Sequence, residues 1–348
     1  MGTKNRIPKI LLLNTGGTLM SIRGERGLAP GIGTDVVISA IPSLSTCFDI
    51  VAESLMNVSS ANIQPEDWAR IARRIHHVQA DYDGVVVIHG TDTLAYTAAA
   101  LSFMLARLRI PVVVTGSQIP LQDDTTDAKR NIVDACIVAA SGYAGVMVVF
   151  GGKIIRGSRA SKVYSGAIEA FRSINYPDIG FASDQRIHFF REYIPPPPVD
   201  RPVLYDHVCP QVILLKIIPG VGGEVLDLIE ERAYRGVVIE SIGKGGLPTS
   251  HPNLLDRVKN LVDQGIPVAV TTQCTYQGTN LEVYKNGRET LETGVIPTYD
   301  MSIEAVVTKM MWTLGKTDRM PVIRKMMLHN YAGELNYEAE NGNGVLSA

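Results

Sequence analysis

The sequence predicts an α/β protein made of two parallel-sheet domains, the second smaller. Three observations carry this. Short β-branched runs recur and end in Gly, Thr, Ser or His, among them Gly84-Val85-Val86-Val87-Ile88-His89, Pro111-Val112-Val113-Val114-Thr115-Gly116 and Gly145-Val146-Met147-Val148-Val149-Phe150. Stretches with helical patterning lie between them, and that alternation indicates βαβ units with a sheet covered on both faces. The rhythm breaks at Tyr193-Ile194-Pro195-Pro196-Pro197-Pro198, a stiff extended segment that cannot continue a helix, and resumes beyond it. The expected division is residues 1–192, a Pro-rich linker at 193–211, and residues 212–348.

Length and composition fit this class. The 348 residues suffice for one large domain or two ordinary ones. Hydrophobic residues make up 45% and charged residues 20%, the balance of a soluble globular chain rather than a disordered one. With 33 basic and 35 acidic residues the net charge is −2, so no basic excess points to nucleic acid and no polybasic patch to a membrane. No apolar segment approaches the roughly 18 residues a membrane helix needs. The first apolar run is short, enters a Gly-Gly turn and lacks a small-residue cleavage pattern. It reads as a core strand rather than a signal peptide, which makes the cytoplasm the default. Cys47, Cys136, Cys209 and Cys274 show no C-x-x-C spacing, which disfavours a zinc site and a disulfide framework. They are expected to be small buried hydrophobes.

In chain order, Ile10-Leu11-Leu12-Leu13-Asn14 reads as a buried parallel strand. Gly16-Gly17 then permits a sharp turn without a Cβ clash. Thr18 follows at the carboxyl end of that strand, the edge where open α/β sheets bind ligands. Taken alone, this stretch allows two readings, a turn capped by Thr18 or a nucleophilic Thr18. Pro65-Glu66-Asp67 opens a helix before Trp68, Ile71 and Ile75. Residues 93–108 are Ala- and Leu-rich, as a helix packed on a sheet would be, and 127–140 is another helix. Beyond the linker, strands are expected at 212–216, 236–240 and 267–272, with helices at 224–234, 253–264, 302–314 and 318–328. No repeat of solenoid period is present. The tail from Glu338 is polar, contains Gly342 and Gly344, and is expected to be loose.

Two further stretches could carry chemistry. His89-Gly90-Thr91-Asp92-Thr93 joins a strand end to a helix start, where free N–H groups and a partial positive charge can hold a carboxylate or an oxyanion. Thr91 offers a hydroxyl, and Asp92 an acceptor for an ammonium group. The competing reading is an ordinary N-cap. In Arg159-Ala160-Ser161-Lys162 the lysine has apolar neighbours. A buried lysine can act as a base, whereas a solvated one only carries charge.

Together these stretches are far more specific than singly. Thr15-Gly16-Gly17-Thr18, His89-Gly90-Thr91-Asp92-Thr93, Thr115-Gly116-Ser117-Gln118 and Ala160-Ser161-Lys162, in this order, resemble the bacterial-type L-asparaginase family, type I branch. Leu55-Met56-Asn57-Val58, Gln64-Pro65-Glu66-Asp67-Trp68, Phe171-Arg172-Ser173-Ile174-Asn175-Tyr176-Pro177 and Gly294-Val295-Ile296-Pro297 extend the likeness over nearly the whole chain. The resemblance implies a larger N-terminal domain with a flavodoxin-like core and a smaller C-terminal α/β domain. It implies a homodimer or homotetramer, a small-molecule amide substrate such as L-asparagine, and metal-free catalysis with no cofactor through an acyl-enzyme. The nucleophile matches Thr18. The second site threonine matches Thr91, with Asp92 and Lys162 as its partners. Ser60 matches a serine that holds the substrate α-carboxylate, with Ser59 and Ser117 beside it in the substrate set. Asp92 takes the substrate ammonium. A threonine hydroxyl needs a base or a relay. Lys162, if neutral, could supply it through Thr91 or a water, although Asp92 favours the charged lysine. Backbone N–H groups near the helix expected to start at Thr91 are candidates for the oxyanion.

The chain departs from the family pattern at informative places. The loop after the nucleophile normally carries a tyrosine. Here Gly24-Glu25-Arg26-Gly27-Leu28-Ala29-Pro30 puts Leu28 there, which can neither polarise a hydroxyl nor move a proton. Tyr164 substitutes only if the fold brings it near. The stretch Ser59-Ser60-Ala61 replaces a more polar Asp-Ser-Ser/Thr, leaving fewer acceptors for a free α-ammonium. Glutamine, a D-isomer, a derivatised amide or a lactam therefore compete with asparagine as substrate. Glu240 stands where an allosteric member carries arginine, so effector binding of that kind is not expected.

Other functions fit less well. The amidase subunit of a tRNA-dependent amidotransferase would carry a further domain ahead of the first threonine motif, which this chain reaches at Thr15. A non-catalytic amino-acid-binding protein would not require Thr18, Thr91, Asp92 and Lys162 together. Gly16-Gly17 and Gly243-Lys244-Gly245 match no nucleotide-binding glycine pattern. His76 and His77 are expected on a helix surface, and His89 as a structural hydrogen-bonder. Asp127 and Asn131 are expected to cap and anchor a helix. Met310-Met311 and Met326-Met327 are expected in packing.

Overall fold

The computed structural model describes residues 6–24, 27–183, 186–250 and 253–336. The tail from Glu338, expected to be loose, lies outside the described residues, as do Glu25 and Arg26 of the loop after Thr18. The chain divides into two compact units, residues 1–173 with 177–206, and residues 174–176 with 207–348.

The first unit begins with β1 (Lys9–Gly16), the hairpin β2 (Ser21–Gly24) and β3 (Gly27–Pro30), α1 (Thr34–Ala40) and α2 (Pro42–Cys47). It continues through β4 (Asp49–Val58), α3 (Pro65–Val78), β5 (Gly84–Ile88), α4 (Leu94–Met104), β6 (Leu105–Ala106), β7 (Pro111–Thr115) and α5 (Ala128–Ala139). Strands β8 (Gly145–Phe150), β9 (Lys153–Arg156), β10 (Ala160–Lys162), β11 (Phe171–Ser173), β12 (Gly180–Ser183), β13 (Arg186–Phe189) and β14 (Val203–Leu204) follow. The main sheet runs β13-β12-β9-β8-β7-β5-β1-β4. Its β4, β1, β5, β7 and β8 pair in parallel, as the continuous apolar runs of β1, β5, β7 and β8 predict. Ile10 to Leu13 are buried on both faces there, in register with Gly84 to Val87.

From β8 onward the sheet turns antiparallel, which the repeating pattern did not foretell. The cause is local. Gly151 and Gly152 carry φ of +57° and +80° between the paired Phe150 and Lys153. A two-residue turn with both φ positive reverses a strand directly into a hairpin, with no crossover helix. Strand β4 was also not foreseen, because its polar positions interrupt the apolar run.

The helices form for different reasons. In α3 the Gln64–Asp67 capping box and Pro65 set the start, and Trp68, Ile71, Ala72, Ile75 and Val78 share the buried face. By contrast α4 is apolar nearly all round and almost wholly buried, because it packs between the sheet and other elements. The helix expected over 93–108 is shorter. It ends at Met104, where Leu105 and Ala106 pair with β14 and Arg107 turns the chain at φ +59°.

The second unit holds β15 (Val212–Lys216), α6 (Glu224–Glu231), β16 (Gly236–Ser241), α7 (Leu255–Asp263), β17 (Val268–Thr272), α8 (Lys285–Glu292), β18 (Ile296–Pro297), α9 (Ile303–Leu314) and α10 (Met320–Leu328). Its sheet is parallel in the order β15-β16-β17-β18, over a core that includes Val237, Ile239, Val268, Val270, Leu226, Val258 and Leu261. Helix α8 was not expected from its polar, glycine-containing sequence. Gly287 is required there, since a Cβ would stand 2.2 Å from the Leu281 carbonyl oxygen. Helix α6 stops at Glu231, three residues early, and Ala233 turns at φ +53°. Glu240 on β16 accepts from Lys216 on β15 at 2.7 Å.

A fully buried ion pair closes the last part of this unit. Lys309 Nζ lies 2.6 Å from Glu334 and also donates to the Met327 and His329 carbonyls at 2.8 and 2.7 Å. Glu334 in turn accepts from the Tyr331 and Ala332 N–H groups. All three ammonium protons are used, which is what makes the burial tolerable.

Among the described residues no helix is long and apolar enough to cross a membrane. Two of the four cysteines correct the expectation of burial. Cys136 and Cys209 are buried, but Cys47 and Cys274 are exposed, one ending a short helix and the other on the loop after β17.

Candidate active site

The candidate site is built where β1, β5 and β7 end. Asn14 shapes the first turn. Its Oδ1 accepts from Gly16 N–H at 2.9 Å, and its Nδ2 faces Ser54 Oγ on β4 at 3.3 Å. The pairing of β1 with β4 shifts register there, between Asn14 and Gly16. Thr15 does not face the site, because its hydroxyl donates to the Ile88 carbonyl at 2.7 Å and ties β1 to the end of β5.

Both glycines of the turn are obligatory. Gly16 has φ +109°, and a Cβ on it would lie 2.3 Å from Val58 O. Gly17 has φ +93°, and a Cβ on it would lie 2.3 Å from Gly90 Cα. So the backbone just before Thr18 is pressed onto the backbone just before Thr91, and the two threonine motifs meet through glycine alone. Gly90 is confined from its other side too, since a Cβ there would meet Ser60 Oγ at 2.6 Å. Thr18 is half-buried and opens the short 3-10 turn Thr18–Met20. Among the described residues its hydroxyl has no hydrogen-bond partner.

The second motif does not behave as an N-cap. Helix α4 begins at Leu94, not Thr91, and no side chain caps it. The Thr91 hydroxyl instead donates to Gln118 Oε1 at 3.2 Å and accepts from Lys162 Nζ at 2.8 Å. Lys162 also donates to Asp92 Oδ1 at 2.7 Å. Its side chain is largely buried while that of Asp92 is two-thirds exposed, so the carboxylate keeps a free face toward solvent. Buried Ser60 joins the group from the chain after β4. Its Oγ accepts from the Asp92 N–H at 3.3 Å, and its carbonyl accepts from the Thr93 hydroxyl at 2.7 Å.

His89 lies beneath this cluster, fully buried. Desolvation pushes its pKa down to about 4, against weaker opposition from the Gly90 carbonyl, so the ring is neutral at pH 7. Nδ1 lies 2.7 Å from that carbonyl and must donate to it, which leaves Nε2 to accept from Thr97 Oγ1 at 2.9 Å. Both nitrogens are committed, as expected of a structural histidine. His77 is exposed and His76 half-buried at the end of α3. Asp127 corrects its expectation, since its side chain does not cap α5. It accepts from the Gln118, Ile119 and Asn131 donors and braces the turn after β7. Asn131 also donates to the Gly116 carbonyl at 3.0 Å.

The structure therefore brings Thr91, Asp92, Lys162 and Ser60 into one hydrogen-bonded cluster and sets the Thr18 turn against it. It does not join Ser59 or Ser117 to that cluster. Ser59 is exposed with no capping bond, and Ser117 is fully buried with its hydroxyl donated to Ile119 O at 2.6 Å. Leu28 stands on β3, 48% exposed, and Ala61 is exposed. Tyr164 is half-exposed, with the Arg172 guanidinium 5.3 Å from its ring centre. Sequence reasoning passed over Gln118 as a site residue, although its motif was noticed. Its position one residue beyond a strand-ending Thr-Gly-Ser was the available signal.

Comparison with known proteins shows the family. Residues 9–195 match the family model "Asparaginase, N-terminal", and residues 211–327 match "Glutaminase/Asparaginase C-terminal domain". The chain is 41% identical to the L-asparaginase of Thermococcus kodakarensis over 328 residues, 94% of this chain and 99% of that protein. The solved structure of the thermostable L-asparaginase from that organism superimposes with a TM-score of 0.89. L-asparaginase I of Vibrio cholerae superimposes with a TM-score of 0.86 at 27% identity, over 95% of this chain and 99% of that one. The chain is also 38% identical to one subunit of the glutamyl-tRNA(Gln) amidotransferase of Pyrococcus furiosus over 345 residues, 95% of this chain and 78% of that protein. The fold and these matches define an amidohydrolase. The chain belongs to the asparaginase family, in its type I branch.

Proposed function

We propose that this enzyme hydrolyses the side-chain amide of free L-asparagine to L-aspartate and ammonia through an acyl ester on Thr18. The observation that carries the reading is Lys162 Nζ, which donates to Thr91 Oγ1 and Asp92 Oδ1 beside the Gly17–Gly90 approach. Thr18 Oγ attacks the amide carbon as its proton leaves through Thr91 and Lys162 or through a water. Backbone N–H groups around Thr91 receive the oxyanion, a preorganised arrangement that water would not supply. The amide nitrogen departs with a proton as ammonia and leaves the ester. A water then gives a proton to Thr91 as Lys162, neutral again once its proton has gone to the ammonia, takes the threonine's own. The water oxygen attacks the acyl carbon, and Lys162 hands that proton to the departing Thr18 oxygen. Asp92 receives the substrate ammonium on its open face, and Ser60, with Ser59 and Ser117, holds the carboxylate end. The chemistry runs on side chains and backbone alone. We place the enzyme in the cytoplasm as a homodimer or homotetramer.

The test is a panel of amides assayed for ammonia with wild type, Thr18→Ala and Thr91→Ala. Both variants are expected to lose about 1,000-fold or more in kcat, the scale on which members of one catalytic set fail. Full activity in Thr18→Ala would remove the central assignment. A second reading keeps the chemistry and changes the substrate. The exposed leucine at Leu28 and the loss of polar groups around Ala61 favour an amide other than free asparagine, such as glutamine, a D-isomer, a derivatised amide or a lactam. The likeness to a component of an amidotransferase also supports it. Efficient turnover of free L-asparagine near neutral pH would end it.

A further inference from the structure

Asn14 ends the apolar run 10–13 of β1 and is 1% exposed. Burying an amide there costs free energy unless both its ends are paired. Its Oδ1 accepts from the Gly16 N–H, a group that can only donate, so the amide has one orientation and Nδ2 points across to β4. There it meets Ser54 Oγ at 3.3 Å and the Met56 carbonyl at 3.5 Å. These contacts lie where the two strands fall out of step. Lys9 to Asn14 run residue for residue against Asp49 to Ser54. From Asn14 to Gly16 β1 then advances two residues, while from Ser54 to Val58 β4 advances four. Leu55, Met56 and Asn57 therefore stand against Thr15 alone, and β4 bulges. A bulge beside a site re-aims the chain that follows it. Here β4 closes back onto the glycine turn. The Gly17 N–H donates to the Val58 carbonyl at 3.1 Å, and a Cβ on Gly16 would lie 2.5 Å from Val58 N and 3.1 Å from Asn57 C. Just past Val58, Ser60 Oγ accepts from the Asp92 N–H.

We propose that Asn14 is a positioning residue that sets two parts of the site with the two ends of one amide. Its oxygen fixes the Gly16-Gly17 turn that presents Thr18. Its nitrogen holds the β4 bulge in place, so that Ser60 arrives beside Asp92. An amide is no base, and Asn14 exchanges no proton in the reaction. The two ends therefore govern different constants. The oxygen end acts on kcat through the nucleophile, and the nitrogen end on KM through the carboxylate holder. Both roles rest on the reading of Thr18 as nucleophile and Ser60 as carboxylate holder.

Two variants separate the ends. Asn14→Thr keeps an acceptor for the Gly16 N–H, since a threonine hydroxyl closes the same local turn, but it is too short to reach β4. Its KM is expected to rise about tenfold with kcat within about threefold, the scale of one lost hydrogen bond in substrate binding. Backbone hydrogen exchange at Gly17 is expected to quicken, because its Val58 acceptor moves with the bulge, while exchange at Gly16 stays as in wild type. Asn14→Leu suits the apolar run and removes both ends. It is expected to show the same rise in KM, a further loss of about tenfold in kcat, and faster exchange at Gly16 as well as Gly17. Wild-type KM in Asn14→Thr overturns the proposal, as does a kcat that falls there in step with the rise in KM. Wild-type kcat or wild-type Gly16 exchange in Asn14→Leu overturns it too. If Asn14→Leu does not fold, Asn14→Thr decides by itself. If wild type releases ammonia from no amide, the functional reading fails separately, and exchange at Gly16 and Gly17 still decides whether Asn14 holds the turn and the bulge.

Discussion

Gly17→Ala should disable the site while leaving the protein folded. Two costs act at this position. The backbone lies at φ +93° and ψ −176°, a region essentially closed to residues with a Cβ, worth about 1–3 kcal/mol. The added carbon would also stand 2.3 Å from Gly90 Cα, where ordinary contact begins at 3.4 Å, so the two backbones must part by the difference, 1.1 Å. Forced overpacking of this kind costs a further 1–3 kcal/mol or so. The sum, about 2–6 kcal/mol, is below or near the stability of an ordinary domain. A separation of about 1 Å between catalytic groups costs about 100-fold in rate. Gly142→Ala is the control, with φ +76° and nothing within 4 Å of the new Cβ. It should lose only about 1–2 kcal/mol and no activity. The assay pairs ammonia release with urea unfolding for both variants. Gly90→Ala, whose Cβ meets the Ser60 hydroxyl at 2.6 Å and Gly17 Cα at 3.0 Å, should act in the same direction. If Gly17→Ala keeps kcat/KM within about threefold of Gly142→Ala, the glycine contact does not set the site, and the reasoning fails.

Two further outcomes concern stability. His89 is neutral in the fold with its pKa lowered from 6.5 to about 4, so below pH 6.5 the unfolded chain binds the extra proton and stability falls until about pH 4. Between pH 7 and pH 5 this one group should remove about 2 kcal/mol. The difference in urea unfolding between wild type and His89→Gln at those two pH values reads it, and equal pH dependence in both would contradict it. Lys309→Met should cost about 3–5 kcal/mol, because it strands the fully buried Glu334 carboxylate. Lys309→Met with Glu334→Gln should recover part of that loss, and a single variant within about 1 kcal/mol of wild type would show that the pair is not holding the end of the unit.

The chain's local chemistry determined much. Continuous apolar runs announced the parallel strands, because a strand buried on both faces has no polar side to show. Pro65-Glu66-Asp67 marked the start of α3, and the ordered threonine motifs marked the edge where the candidate site lies. What stayed hidden depended on non-local packing. The antiparallel half of the first sheet hangs on two glycines reversing the chain, and β6 exists only because β14 pairs with it. The Lys309–Glu334 pair joins residues whose sequence neighbourhoods say nothing of each other.

The site divides in the same way. Thr18, Thr91 and Asp92 could be picked out as residue types at strand ends and Lys162 by its apolar neighbours, and the family resemblance joined them. Whether Thr91 capped a helix or faced Lys162 was decided only by where α4 begins and which side chains crowd it. Gly16-Gly17 looked like a turn for its own sake. In the fold Gly17 is the place where one motif touches the other, because only a residue without a Cβ lets two backbones approach so closely. Sequence named the candidate site residues. Tertiary structure decided which of them face one another, because hydrogen-bond partners far apart along the chain are set by packing and not by neighbours.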